Sequence, residues 1–149
     1  MRGWSKRAQE GMTLIEVLVA LLILGVGLLG AAAIQLNALK YTDSSRMTSQ
    51  ASFIAYDMMD RIRANSKADY TVTPPTSGNW SVARDQDLFD FTTNIVNLGG
   101  ATATGSITRN QQVYTITITW DDSRAANVAN SRRTFVLTSR ATADPQVAP

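Results

Sequence analysis

The side chains able to do chemistry are few, because the 149 residues include neither histidine nor cysteine. That removes disulfides, zinc sites built on Cys or His, iron–sulfur clusters and thiol nucleophiles. It also removes every Ser-His or Cys-His arrangement and the commonest general base. Asp85, Asp87 and Asp90 are spaced like part of a calcium loop, yet no glycine or bidentate glutamate follows at the required interval. Capping of a helix start accounts for them better. Asp121 and Asp122 could be paired acids, but they follow a strand directly and point to opposite sides, so a polar turn is expected. Arg124, Arg132, Arg133 and Arg140 gather positive charge without the stacking aromatics of a nucleic-acid groove. They are expected to form a solvated face or to meet a protein partner, the 11 residues 122–132 being the loop that holds the contact. No catalytic residue, metal or cofactor is expected. One carboxylate is out of place: Glu16 abuts a long apolar run.

That run determines the organisation of the chain. Residues 17–39 carry no charge, and 17–34 are only Val, Leu, Ile, Ala and Gly. Those 18 residues span roughly 27 Å as a helix, close to the hydrocarbon thickness of a bilayer. Arg2, Lys6 and Arg7 precede it, with Glu10 the single acid among residues 1–11. The positive-inside rule then puts the head of the chain in the cytoplasm and everything after Lys40 across the membrane. The whole net charge of +2 belongs to this head, since the remaining residues hold equal numbers of acids and bases. Two ordinary readings compete. One is a signal peptide cut at the A-x-A-like Ala31-Ala32-Ala33, and the other is a plain uncleaved anchor. Both must explain Glu16, because ionisable groups in apolar membrane segments are costly and usually functional. Gly25, Gly27 and Gly30 are also odd in a simple anchor; they suit close approach of helices and weaken an isolated one.

The stretch Gly11-Met12-Thr13-Leu14-Ile15-Glu16-Val17 resembles the class III signal of type IV pilins and type II secretion pseudopilins. In that family a short basic leader ends in Gly, followed by a mostly apolar residue, Thr-Leu-Ile-Glu and a long apolar helix. The resemblance covers residues 1–36. It implies that a prepilin peptidase cuts after Gly11 and methylates the new amino terminus on Met12. Met12 stands where Phe is commonest, and the apolar run lacks the helix-breaking Pro of many major pilins. Gly25, Gly27 and Gly30 would then supply any local melting.

Glu16 can be argued from charge alone. A cut after Gly11 creates a positive amine on Met12 and leaves a carboxylate four residues on. An isolated charge among apolar helices is very costly. If subunits stack with an axial offset, Glu16 of one faces the amine of its neighbour, with Thr13 beside the pair. Such a pair sets register as well as neutralising charge. The plainer alternative leaves Glu16 resting at the membrane surface.

Beyond Lys40 the helical pattern continues. Ala51, Ala55, Met58 and Ile62 recur at spacings of four, three and four. Phe53, Ile54 and Met59 are expected to widen that stripe, and Asp57 and Arg61 to form a surface ion pair. The helix is expected to start near Met12 and end near Asn65-Ser66, about 54 residues and roughly 80 Å. A head over 67–149 follows. Thr73-Pro74-Pro75-Thr76-Ser77-Gly78-Asn79 is a loop by composition. Asp85 is expected to cap a helix bearing Leu88, Phe91, Ile95 and Leu98, ended by Gly99-Gly100. Strands are expected over 105–109, 113–120 and 134–141. In the middle strand Tyr114, Ile116, Ile118 and Trp120 alternate with Thr115, Thr117 and Thr119, as one buried face requires. The fold class is α+β, a long N-terminal helix packed against a small antiparallel sheet. The head alone makes a thin core, so the helix must complete it. The segments are a leader over 1–11, a transmembrane and polymerisation helix over 12–39, its amphipathic continuation over 40–66, and an α/β head over 67–149.

This order also resembles the pilin fold. Gln50-Ala51-Ser52, Ala55-Tyr56-Asp57-Met58, Asp60-Arg61-Ile62-Arg63-Ala64-Asn65, Tyr114-Thr115-Ile116, Thr119-Trp120 and Arg133-Thr134-Phe135 resemble a narrower group, the type IV pilus modification proteins. They are minor pilins that prime pilus assembly at the tip. Major pilins usually close their C-terminal region with a disulfide, which a chain without cysteine cannot form. The resemblance implies several partners: a prepilin peptidase, other minor pilins and the major pilin, a tip adhesin, the inner-membrane assembly platform, and membrane lipid before assembly. It implies an inner-membrane location with a periplasmic head, then the pilus. A minor pseudopilin of a type II secretion system shares the same N-terminal physics. A secreted soluble binding protein cut after Ala33 is the alternative of another class.

Overall fold

Helix formers dominate the N-terminal third, and the computed structural model shows the helix they favour. It describes residues 11–142; the basic head of the expected leader, with Arg2, Lys6, Arg7 and Glu10, lies outside the described residues. The elements in chain order are α1 (Leu14–Ala64), α2 (Ala83–Gly99), β1 (Thr104–Asn110), β2 (Val113–Asp121), α3 (Ser123–Ala126) and β3 (Arg132–Arg140). The chain divides into two units, Met1–Leu39 and Lys40–Pro149, with the boundary inside α1.

In the first unit α1 begins at Leu14 rather than at Met12. Thr13 stands before it, and its carbonyl accepts the Glu16 and Val17 amides at 3.1 and 3.3 Å. From there to Leu39 every side chain is exposed. The apolar window has a mean hydropathy of 2.8 and none of it is buried within the chain. Water would not tolerate so large an apolar surface, so a bilayer or other helices must cover it.

In the second unit the amphipathic part of α1 supplies one wall of the core. Ala51, Ala55, Met58, Met59 and Ile62 are fully buried. Phe53 corrects the expected stripe: it is 72% exposed, because at 3.6 residues per turn it falls on the side of α1 opposite Ala51, Ala55 and Ile62. The helix stops at Ala64, just short of the expected Asn65-Ser66.

α2 presents Leu88, Phe91 and Ile95 to the same core, with Leu98 half-buried against it. Asp85 does not cap it. The helix starts earlier, at Ala83, and Val82 holds the cap position without a side-chain hydrogen bond. The Val82 carbonyl accepts the Asp85 and Gln86 amides at 3.0 and 3.1 Å instead. Gly100 ends α2 as expected: at φ 76° it occupies the left-handed region, and its N–H reaches the Val96 carbonyl at 2.8 Å.

The sheet is an antiparallel meander in the order β1-β2-β3. β2 alternates as its sequence dictates, with Tyr114, Ile116, Ile118 and Trp120 buried inside. Rows run across the opposite face: Thr104, Thr119 and Thr134; Ser106, Thr117 and Val136; Thr108, Thr115 and Thr138. Hydroxyls of Thr115 and Thr138 lie 3.2 Å apart and those of Thr119 and Thr134 3.0 Å apart, so the β-branched face also pairs across strands. Gly105 lets β1 approach α2, since a Cβ there would overlap Ile95 and Phe91.

Candidate functional site

The N-terminal residues singled out by sequence fall on one short stretch and the helix it opens. Gly11, Met12 and Thr13 have no regular structure and are exposed, Met12 at 74%. A Cβ at Gly11 would meet nothing within 4 Å. The Gly11–Met12 bond therefore lies in accessible, non-helical backbone, the form a peptidase needs. Thr13 has a local role that sequence reasoning missed. Its hydroxyl accepts the Glu16 amide at 3.4 Å, the first half of a Thr-x-x-Glu capping box. The spacing Thr13-Leu14-Ile15-Glu16 was the available signal. Glu16 is exposed, sits in the first turn of α1 where the helix dipole favours an anion, and has no ion-pair partner among the described residues. Gly25, Gly27 and Gly30 all meet open space. Nothing among the described residues requires them to be glycine.

The head carries a polar hub that composition only hinted at. The expected pair of Asp57 and Arg61 forms at 2.9 Å, but the Arg61 guanidinium also donates to Asp87 at 2.8 Å and Asp90 at 3.1 Å. Asp87 further accepts the Tyr70 hydroxyl at 2.8 Å, and the Asn65 amide donates to that hydroxyl at 3.3 Å. Gln86 donates to Asp90 at 2.7 Å. Asp87 and Asp90 thus project from inside α2 to fasten it to α1, while Asp85 pairs with neighbouring Arg84 at 2.7 Å. None of the three caps the helix. Burial works against the charge of Arg61, but the hydrogen bond to Asp87, the nearby charge of Asp57 and the bond to Asp90 outweigh it and hold the proton more tightly. Burial, then the Asp87 carboxylate, pushes the Tyr70 hydroxyl up to about 12.

A second polar cluster ties the β2–β3 connection to α1. Asp121 ends β2 and accepts the Ser123 amide at 2.8 Å; the Ser123 hydroxyl first, and then this amide, lower its pKa, so the expected turn chemistry holds at this residue. Asp122 does something else: it accepts the Ser44 hydroxyl at 2.7 Å and lies 3.6 Å from Arg133. Ser44 is buried, and its oxygen accepts a hydrogen bond from Arg133 at 2.8 Å. Arg124 pairs with Asp43 at 2.8 Å, and Arg132 donates to the Thr102 carbonyl at 2.8 Å. The expected loop over 122–132 contains α3. Arg124 and Arg133 therefore fasten the chain to itself, and Arg140 lies at the end of β3. No group of three or more acidic residues among those described could hold a metal ion.

What the described residues assemble is an anchoring and packing surface. An exposed apolar helix opens on an exposed carboxylate, and a head is bolted to its amphipathic continuation. Residues 6–32 match the family model described as the prokaryotic N-terminal methylation motif. No curated protein and no solved structure matches the chain. The residues of the motif coincide with the accessible Gly11–Met12 junction, Glu16 and the uncharged helix. The chain thus carries the N-terminal signal of a type IV pilin-like protein, one that implies processing by a prepilin peptidase.

Proposed function

We propose that this chain is a minor pilin, a structural subunit that helps prime type IV pilus assembly at the tip together with other minor pilins. The observation that carries the reading is the coincidence of the methylation motif over residues 6–32 with an α1 whose apolar window is wholly exposed. In this reading the peptidase cuts after Gly11 and methylates Met12. Residues 12–39 hold the subunit in the inner membrane with its head in the periplasm. The assembly platform then moves it into a filament with the major pilin, and a tip adhesin can join the same complex. Glu16 pairs there with the Met12 amine of a neighbouring subunit, and Gly25, Gly27 and Gly30 provide the close approach or local flexibility the packed helices need.

Support for a minor role comes from the absence of cysteine, which denies the head the C-terminal disulfide usual in major pilins. The position of Ala31-Ala32-Ala33 inside the continuous helix α1 favours retention of the segment over a cut after Ala33. Deletion of the gene tests the assignment. Loss of surface pili with protein secretion intact is the expected result; normal piliation with lost secretion assigns the chain to a type II secretion system as a pseudopilin.

A further inference from the structure

The β2–β3 connection is held down in an unusual way. Between Asp122 and Ser131, Ala125 is buried, yet no residue of the segment joins the main core cluster, and Val128 is 62% exposed. The base is firm: the Asp122 amide donates to the Ser131 carbonyl at 2.8 Å, and the Asp122 carboxylate accepts the buried Ser44 hydroxyl. The tip is attached by exposed polar contacts. Arg124 pairs with Asp43, its side chain 80% exposed, and Lys40 donates to the side-chain Oδ1 of Asn127 at 2.8 Å. Asn127 and Asn130 both lie in the left-handed region, at φ 53° and 59°, where asparagine is tolerated, so the backbone turns sharply on either side of the tip.

Past the tip contacts at Lys40 and Asp43, α1 carries a run of hydroxyl residues. Ser45, Thr48, Ser49 and Ser52 each turn their hydroxyls back onto carbonyls three or four residues earlier, at 2.7 to 3.2 Å. That bonding weakens and bends helices slightly. A cavity of about 250 Å³ lies between these layers, lined by Tyr41, Ser44, Ala125 and Arg133 among others.

We propose that residues 122–131 form a strap that opens by ionic release at its tip while its base stays fixed, uncovering the α1 turn at 40–43. Exposed ion pairs are weak and screened by salt, whereas the core is apolar and strengthened or unaffected by it. The strap is therefore the part of the head that a competing charge or raised ionic strength moves first. It is a property of the chain itself, independent of which machine the chain serves.

Hydrogen exchange on the full chain in detergent micelles tests this. Raising salt from a low level to about 1 M, where the Debye length is about 3 Å, is expected to speed amide exchange in 123–130 by about fivefold, the loss of the one exposed ion pair at the tip. Exchange in β2, β3 and α2 stays unchanged. Arg124→Asp produces the same opening at low salt, and the swapped double variant Asp43→Arg with Arg124→Asp restores closure. Salt-independent exchange in 123–130, exchange that rises in step with the core strands, or failure of the swap to restore closure overturns the proposal.

Discussion

Glu16 and Arg61 show what a charge needs in each unit of this chain. Arg61 has Asp57, Asp87 and Asp90 around one guanidinium. Glu16 has only the capping geometry of its own helix start, and no cation answers it among the described residues. Proximity to the helix N-terminus offsets a fraction of a kcal/mol for an exposed anion, far short of the cost of an unpaired charge between apolar helices. If Glu16 finds its partner in a neighbouring subunit, Glu16→Ala leaves monomer helicity and membrane insertion intact. It lowers recovery of the subunit in sheared filaments by at least about tenfold. Normal recovery would show that the carboxylate merely rests at the membrane surface. Tyr70 gives a pH signature at the same scale. Burial and then the Asp87 carboxylate raise its hydroxyl from 10.0 to about 12, so the folded state keeps a proton that the unfolded chain releases. The stabilisation is complete below pH 10 and lost as pH rises towards 12, by about 2–3 kcal/mol for a shift of this size. Urea titrations at pH 9 to 12 should show Tyr70→Phe losing less stability over that interval than the parent chain. Equal losses would mean that the hydroxyl titrates alike in the folded and the unfolded chain.

Among the elements, legibility followed periodicity. β2 was readable residue by residue, because a strand with one buried face must alternate and Thr fills the other face well. α1 was readable from its apolar run and its four-three spacing, apart from Phe53, which the pattern placed inside and the fold leaves outside. The start of α2 differs from the expectation because Asp85 lies inside a helix that begins at Ala83 and pairs with Arg84, while Asp87 and Asp90 pair with Arg61. Asp87 and Asp90 lie 26 and 29 residues from Arg61, and no local pattern carries that information. The same holds for Ser44, Asp122 and Arg133, which meet across 78 and 89 residues. The hub predicts a measurable link between elements. Arg61→Ala leaves Asp87, whose side chain is 16% exposed, without its cation. It should reduce stability of the full chain in micelles by about 1.5–3 kcal/mol, read from the urea midpoint at unchanged slope. A loss below about 0.5 kcal/mol would reduce the hub to an ordinary surface ion pair.

For the whole molecule, segregation is the central physical fact. Its apolar residues serve two unrelated ends, a helix with no cover of its own and a modest core shared by α1, α2 and the sheet. Its excess of positive charge lies entirely within residues 1–11, ahead of the junction at which the proposed cut falls. On the proposed function, such a chain is inserted with a defined orientation and then handed to neighbours that cover what it cannot cover alone. The sequence shows this division before any side chain is placed; the clasps that hold the head together needed the structure. Intact mass of the protein recovered from the membrane of its own cell tests the account most directly. A chain beginning at N-methylated Met12 is the predicted result, and one beginning at Ile34, or one retaining residues 1–11, contradicts it.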